Sequence, residues 1–147
     1  MDRVSTALDE LGREIGVDVV DGKLIIPFDD FYECFILPAP GRAEVVIETA
    51  LMMVAAADQG AVLRKAMGLN VDPSLVADGV LFLDRETEVL MLRAKHRPGA
   101  NGGKGLGEAV AVFVEAARTI LARIVETGGR QAEASGTQEP HLTRIRA

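Results

Sequence analysis

Apolar residues recur at helical spacing along the start of the chain. Val4, Leu8, Leu11 and Ile15 are separated by steps of four, three and four, which stacks them on one face. The spacing predicts an amphipathic helix over 2–15, with Asp2 or Ser5 as its cap and Gly16 as its end. Gly12 lowers the helix propensity of its last turn. The pattern then shortens. Residues 23–28 and 31–37 read as two strands broken at Asp29-Asp30, which fits a tight hairpin. Pro27 cannot donate to a ladder, so the first strand belongs at a sheet edge, where another chain can add on. Pro38, Pro40 and Gly41 mark a loop.

Residues 43–69 carry two signals. Val45-Val46-Ile47 favours strand, whereas Glu48 through Val54 and the three alanines after it favour helix. One long helix to Leu69 fits the pattern. A strand at 44–55 and a helix at 59–69 started by Asp58 fit it equally. Beyond Asn70-Val71-Asp72-Pro73, residues 79–84 and 88–94 are near-continuous apolar runs around a turn at 85–87. Alternation puts Val80 and Phe82 on one face and Leu81 and Leu83 on the other. Strands apolar on both faces are normally covered on both, and three helices offer little material for that. The second face therefore points to a partner subunit. Residues 97–107 read as a glycine-rich flexible loop. Residues 107–127 read as the clearest helix, with Val110, Phe113, Ala117, Ile120 and Ile124 in one stripe and Gly128-Gly129 as its stop. The organisation is one domain over 1–127 and a polar tail over 128–147 that reads as disordered.

Composition narrows the class. Of 147 residues, 48% are hydrophobic and 26% charged, which is ordinary for a soluble globular chain. Five Phe, one Tyr and no Trp leave the core to aliphatic side chains. Arg130, Arg144 and Arg146 against Glu133 and Glu139 put the last twenty residues at +1, so the first 127 carry −7 of the net −6. An acidic body is unsuited to non-specific nucleic-acid binding, which requires phosphate neutralisation by Lys and Arg. The single Cys34 excludes an intramolecular disulfide and fits a reducing compartment. The first sixteen residues hold acids and no apolar signal core, and no apolar run reaches the roughly 20 residues of a bilayer span. The expectation is a cytoplasmic protein with no membrane partner and no nucleic-acid partner.

Candidate chemistry is sparse. The glycines at 99, 102, 103, 105 and 107 precede a helix, but Pro98 and Gly105 occupy positions where a Walker loop needs Gly and Ser or Thr. The dinucleotide pattern fails at Val110. His96 and His141 have no Cys or His at metal-ligand spacing, so no metal and no cofactor is expected. Cys34 lies in an apolar strand, where a cysteine acts as a small hydrophobe. A Cys34–His96 catalytic pair lacks an orienting third group. Asp29-Asp30, and Asp84 with Glu86 and Glu88, fall at turns, where acids are common without function. Arg93, Lys95, His96 and Arg97, with Lys104 nearby, form the one basic cluster, with no aromatic interleaved for base stacking. Binding rather than catalysis is the expectation, and the chain is not expected to be an enzyme.

The order of segments resembles the class I type III secretion chaperones of the Tir-chaperone-like group. The resemblance is carried by Leu8, Leu11-Gly12 and Ile15-Gly16-Val17; by Gly22 to Asp30; by Ala66-Met67-Gly68-Leu69-Asn70; by Gly79 to Leu92; and by Glu108 to Val125. It covers residues 2–127. It implies an α+β fold of helix, three strands, helix, two strands and helix, with a twisted antiparallel sheet, and makes 44–55 a strand. It implies a cytoplasmic bacterial homodimer that binds the N-terminal segment of a secreted effector in virulence. The segment is held non-globular and export-competent, and an export-apparatus ATPase is a further partner. Carried over, the effector-binding residues are Val4, Leu8, Leu11, Leu24, Ile26, Phe28 and Phe35. The dimer interface is Leu63, Met67, Val80 and Phe82. A regulatory binding module of similar fold, with no export role, is the alternative.

Overall fold

The computed structural model describes residues 2–99 and 103–135. Helix α1 spans Arg3–Ile15, as the spacing predicts. Asp2 caps it, its carboxylate accepting from the Ser5 N–H at 2.7 Å. Gly16 ends it at φ 73°, where its N–H donates to the Gly12 carbonyl. Asp21 and Gly22, both at positive φ, turn the chain between the bridged residues Val20 and Lys23.

Three strands follow: β1 at Leu24–Phe28, β2 at Tyr32–Pro38 and β3 at Val45–Met53. The ambiguity at 43–69 resolves as strand, then a 3-10 turn at Ala56–Asp58, then helix α2 at Gln59–Asn70. Tertiary pairing decides it, because β3 ladders with a strand on each side. Asp58 stands at the start of α2 without making the side-chain cap bond expected of it. The hairpin β4 at Val80–Asp84 and β5 at Val89–His96 comes next, and helix α3 spans Gly103–Ser135. The glycine-rich stretch thus enters the helix at Gly103. The helix also continues past Gly128-Gly129, expected to stop it. Gln131, Ala132, Glu133 and Ala134 beyond the pair are good helix formers. The disordered tail expected at the C-terminus lies, from residue 136 on, outside the described residues.

The sheet is antiparallel throughout, in the order β1-β2-β3-β5-β4. One face carries Leu24, Cys34, Ile36, Ile47, Leu90 and Leu92, each no more than 1% exposed. Against it pack Leu8 of α1 and Leu106, Phe113, Ile120 and Ile124 of α3. Thr49 is fully buried on this face, and its hydroxyl donates to the Glu33 carbonyl at 2.8 Å. The β1–β2 turn is tied to α3 by Arg118. Its Nη2 donates to Asp29 at 2.9 Å, and its Nη1 engages Glu115.

Candidate partner-binding surfaces

The sheet has two edges, and they are built differently. On β4 the backbone of Leu81 faces outward from the ladder. The last residue of α2 reaches across to it. Asn70 Nδ2 donates to the Leu81 carbonyl at 3.0 Å, and Asn70 Oδ1 accepts from the Leu81 N–H at 2.8 Å. A side-chain amide has the donor and acceptor geometry of a peptide group, so Asn70 fills the place of a neighbouring strand. That edge is closed at its centre. The other edge, β1, is paired with β2 alone. It carries Pro27, placed as expected on an edge strand. Ile25 is 44% exposed there, and Phe31 at the adjoining turn is 38% exposed.

The second sheet face follows from register. Ile25 pairs with Phe35, Phe35 with Glu48, Glu48 with Arg93, and Arg93 with Val80; Phe82 pairs with Met91. These side chains share the face opposite the helices. They are half-buried or exposed, whereas most of their neighbours along each strand are buried. The face is apolar at its margins and charged at its centre. Arg93 Nε donates to Glu48 Oε2 at 3.0 Å, and its guanidinium lies 4.7 Å from the Phe82 ring centroid. On α2, Met67 is 69% exposed, and Val71 just after the helix is 82% exposed. Leu63 is half-buried, one turn from Met67.

The residues singled out from sequence divide accordingly. Leu63 and Met67 lie on α2, which packs beside β4, and Val80 and Phe82 lie on the open sheet face of β4. Phe35 lies on the open sheet face. Val4, Leu8, Leu11, Leu24 and Phe28 are instead buried in this chain's own core, between 0% and 7% exposed, and Ile26 packs against that core. Alternation explains the split. Leu24, Ile26 and Phe28 pair with Ile36, Cys34 and Tyr32 on the helix side of the sheet. Sequence reasoning missed Ile25, Val20 and Phe31, the apolar groups left outside on the same flank. The signal was the register of β1, one residue away from the set chosen.

The chemical candidates are absorbed into the structure. Cys34 is buried beneath the sheet, and burial, then the charge of Glu48, pushes its thiol up to about 12. A thiol so protonated is no nucleophile. Of the basic cluster, Arg93 is tied to Glu48, and Arg97 lies 3.8 Å from the buried Glu44. His96 Nε2 is buried with no hydrogen-bond partner among the described residues. His141 and the side chain of Lys104 lie outside the described residues. No group of three His, Cys, Asp or Glu suited to a metal ion occurs among the described residues. No helix among them is long and apolar enough to cross a membrane.

No curated protein matches the sequence. Solved structures do share the fold. A chain of the HopA1–SchA chaperone–effector complex is 18% identical with a TM-score of 0.61, over 82% of this chain and 94% of that one. A chain of the ExsC–ExsE complex is 17% identical with a TM-score of 0.65, over 83% and 96%. A chain of the heterodimeric ExoU–SpcU complex from the type III secretion system of Pseudomonas aeruginosa is 17% identical with a TM-score of 0.60, over 82% and 96%. The family model of the Tir chaperone protein (CesT) family matches residues 6–121, from within α1 to within α3 and through every strand between. With most of the chain so matched, the protein belongs to the Tir chaperone protein (CesT) family.

Proposed function

We propose that this chain is a type III secretion chaperone that binds the N-terminal segment of a secreted effector and keeps it non-globular and export-competent. The family supports the role, and two of the similar solved chains come from complexes described as a chaperone–effector and a type III secretion assembly. The observation that carries the reading is the asymmetry of the sheet edges. Asn70 closes β4, while β1 keeps an open side flanked by the exposed Ile25 and Phe31. An extended segment adds to such an edge through its backbone and seats alternate side chains on the apolar groups beside it. A segment held as a strand is unavailable for its own fold, by mass action. The role needs no bond chemistry, so the chain acts without catalysis, in the bacterial cytoplasm where export begins.

The same reading makes the protein a homodimer. Leu63, Met67, Val80 and Phe82 are apolar, and a second copy supplies a self-complementary cover for them. An export-apparatus ATPase would receive the loaded complex.

The test is light scattering on the purified full chain, alone and with N-terminal segments of proteins encoded beside it. A species of about twice 15.7 kDa that binds one such segment, with amide shifts along β1, is the expected result. A dimer that binds a segment along β4 would overturn the edge assignment. A monomer that binds none would overturn the function.

A further inference from the structure

A second surface lies apart from those described above. Between α2 and α3, over the turn at 72–78, is a cleft of about 440 Å³. Its floor is apolar, made by Ala61, Leu69 and Leu75. Its rim is cationic, with Arg64 and Lys65 from α2 and Arg123 from α3. Arg64 and Lys65 make no ion pair or hydrogen bond among the described residues. Arg123 acts on Asp72, which the Ser74 hydroxyl and N–H also hold, at 2.7 and 3.0 Å. No carboxylate lines this first cleft among the described residues.

A second cleft of about 420 Å³ meets the first at Leu75. It is lined by Ala111, Val112, Glu115, Ala116 and Thr119 of α3; Val112 is 58% exposed, and the Glu115 carboxylate is paired with Arg118. Val112, Ala116, Thr119 and Arg123 follow at steps of four, three and four, so they form one stripe along α3. The stripe is about 16 Å long, from the helical rise. It runs from an apolar end at Val112, beside Glu115, to a cationic end at Arg123. None of these residues belongs to the β1 edge or to the surface of Leu63, Met67, Val80 and Phe82.

We propose that this groove docks a short acidic segment of a partner protein, with an apolar side chain seated between Leu75 and Val112 and carboxylates over Arg64, Lys65 and Arg123. The argument is charge complementarity. On a chain of net −6, cations from two helices converge on one apolar cleft. Such a site attracts a carboxylate-rich segment, which the net negative charge of the chain disfavours elsewhere. A nucleic acid fits poorly, because the floor is aliphatic, with no aromatic for a base to stack on.

The probe is a fluorescein-labelled pentapeptide of four acidic residues around a central leucine. Its control has each acid replaced by its amide. Anisotropy and amide-shift mapping on the full chain read the binding. The expected result is saturable binding of the acidic peptide alone, with shifts at Arg64, Lys65, Leu75 and Val112. Arg64→Glu with Lys65→Glu should weaken it about tenfold at unchanged Tm, since both side chains are exposed. Val112→Asp should weaken the acidic peptide without affecting the fold. Equal binding by the double variant, equal binding of the amide peptide, or shifts confined to another surface would each overturn the proposal. So would an oligonucleotide of equal charge that binds this groove more tightly than the peptide. Each outcome is independent of whether an effector segment binds at β1.

Discussion

Gly12 faces the carbonyl oxygen of Val17 so closely that a Cβ on it would stand 2.6 Å from that atom. The approach is built from both sides. The Gly12 carbonyl accepts from the Val17 N–H at 2.9 Å, so the chain leaving α1 folds back onto the last turn. A glycine that costs helix propensity is thus the residue that lets the helix end turn toward β1. Gly12→Ala should destabilise the protein by about 1–3 kcal/mol, because the crowded atom is backbone and cannot rotate away. Gly68, within α2, has nothing within 4 Å of its would-be Cβ. Gly68→Ala should therefore stabilise by about 0.5–1 kcal/mol. Urea unfolding of the two variants reads both signs, and a shared sign would refute the account.

Asn70 makes a prediction of the same kind. Its amide serves both backbone groups of Leu81, at a part-buried position. Asn70→Ala should cost about 1–3 kcal/mol, because both groups lose their partner. Asn70→Asp keeps the acceptor for the Leu81 N–H but sets a carboxylate against the Leu81 carbonyl, so it should not restore stability. The alanine variant should also self-associate with rising concentration, through an edge no longer blocked. Sedimentation at two concentrations checks that. An unchanged association state would show that Asn70 anchors α2 without guarding the edge.

The elements were legible in the sequence wherever one periodicity ruled alone. The spacing of Val4, Leu8 and Leu11 predicts α1, and the alternation at 79–94 puts Val80 and Phe82 on one face and Leu81 and Leu83 on the other, as the register does. Residues 43–69 were open because β3 is decided by its neighbours: it lies between β2 and β5, and local propensity does not see them. The resemblance settled that strand where periodicity did not. The surface was less legible than the fold. A strand pattern says which residues alternate, and not which set faces the helices. For β1 the buried set is Leu24, Ile26 and Phe28, and the exposed set contains Ile25. Asn70 was visible only as a helix end. Its bond to Leu81 spans eleven positions and depends on the packing of α2 beside β4.

Cys34 should give the protein an alkaline limit. Its folded-state thiol is raised from 9.0 to about 12, first by burial and then by Glu48. The folded state therefore holds the proton while the unfolded thiol has begun to lose it. The contribution is fully present below the unfolded value and is lost as pH rises through the window from 9 to 12. The loss is about 1.4 kcal/mol for each pH unit in that window. Other groups titrate there too, so the informative quantity is a difference. Cys34→Ala should show a shallower fall of unfolding free energy than the parent between pH 9 and 11. Identical slopes would refute it. Below pH 9 the native thiol should resist a disulfide reagent until the protein unfolds.

The proposed dimer surface admits a sharper test than its most obvious residue suggests. Phe82 stacks under Arg93, so Phe82→Asp would place a carboxylate beside a guanidinium already there. The new charge would find a partner, and the variant would understate the interface. Met67 is different. It is 69% exposed in the single chain, and an aspartate there stays in water in the monomer. The monomer's fold should be unharmed by Met67→Asp, with Tm at low concentration within about 0.5 kcal/mol of equivalent stability. In a dimer that buries Met67 the same charge has no partner, which costs about 3–5 kcal/mol per unpaired buried charge. A self-complementary interface brings two copies of that cost. Met67→Asp should therefore run as a monomer in light scattering, at concentrations where the parent runs as a dimer, with an unchanged circular dichroism spectrum. A folded variant that remains dimeric would move the interface away from α2. The open sheet face around Phe35 and Met91 would then be the next surface to test, by the same substitution at Met91.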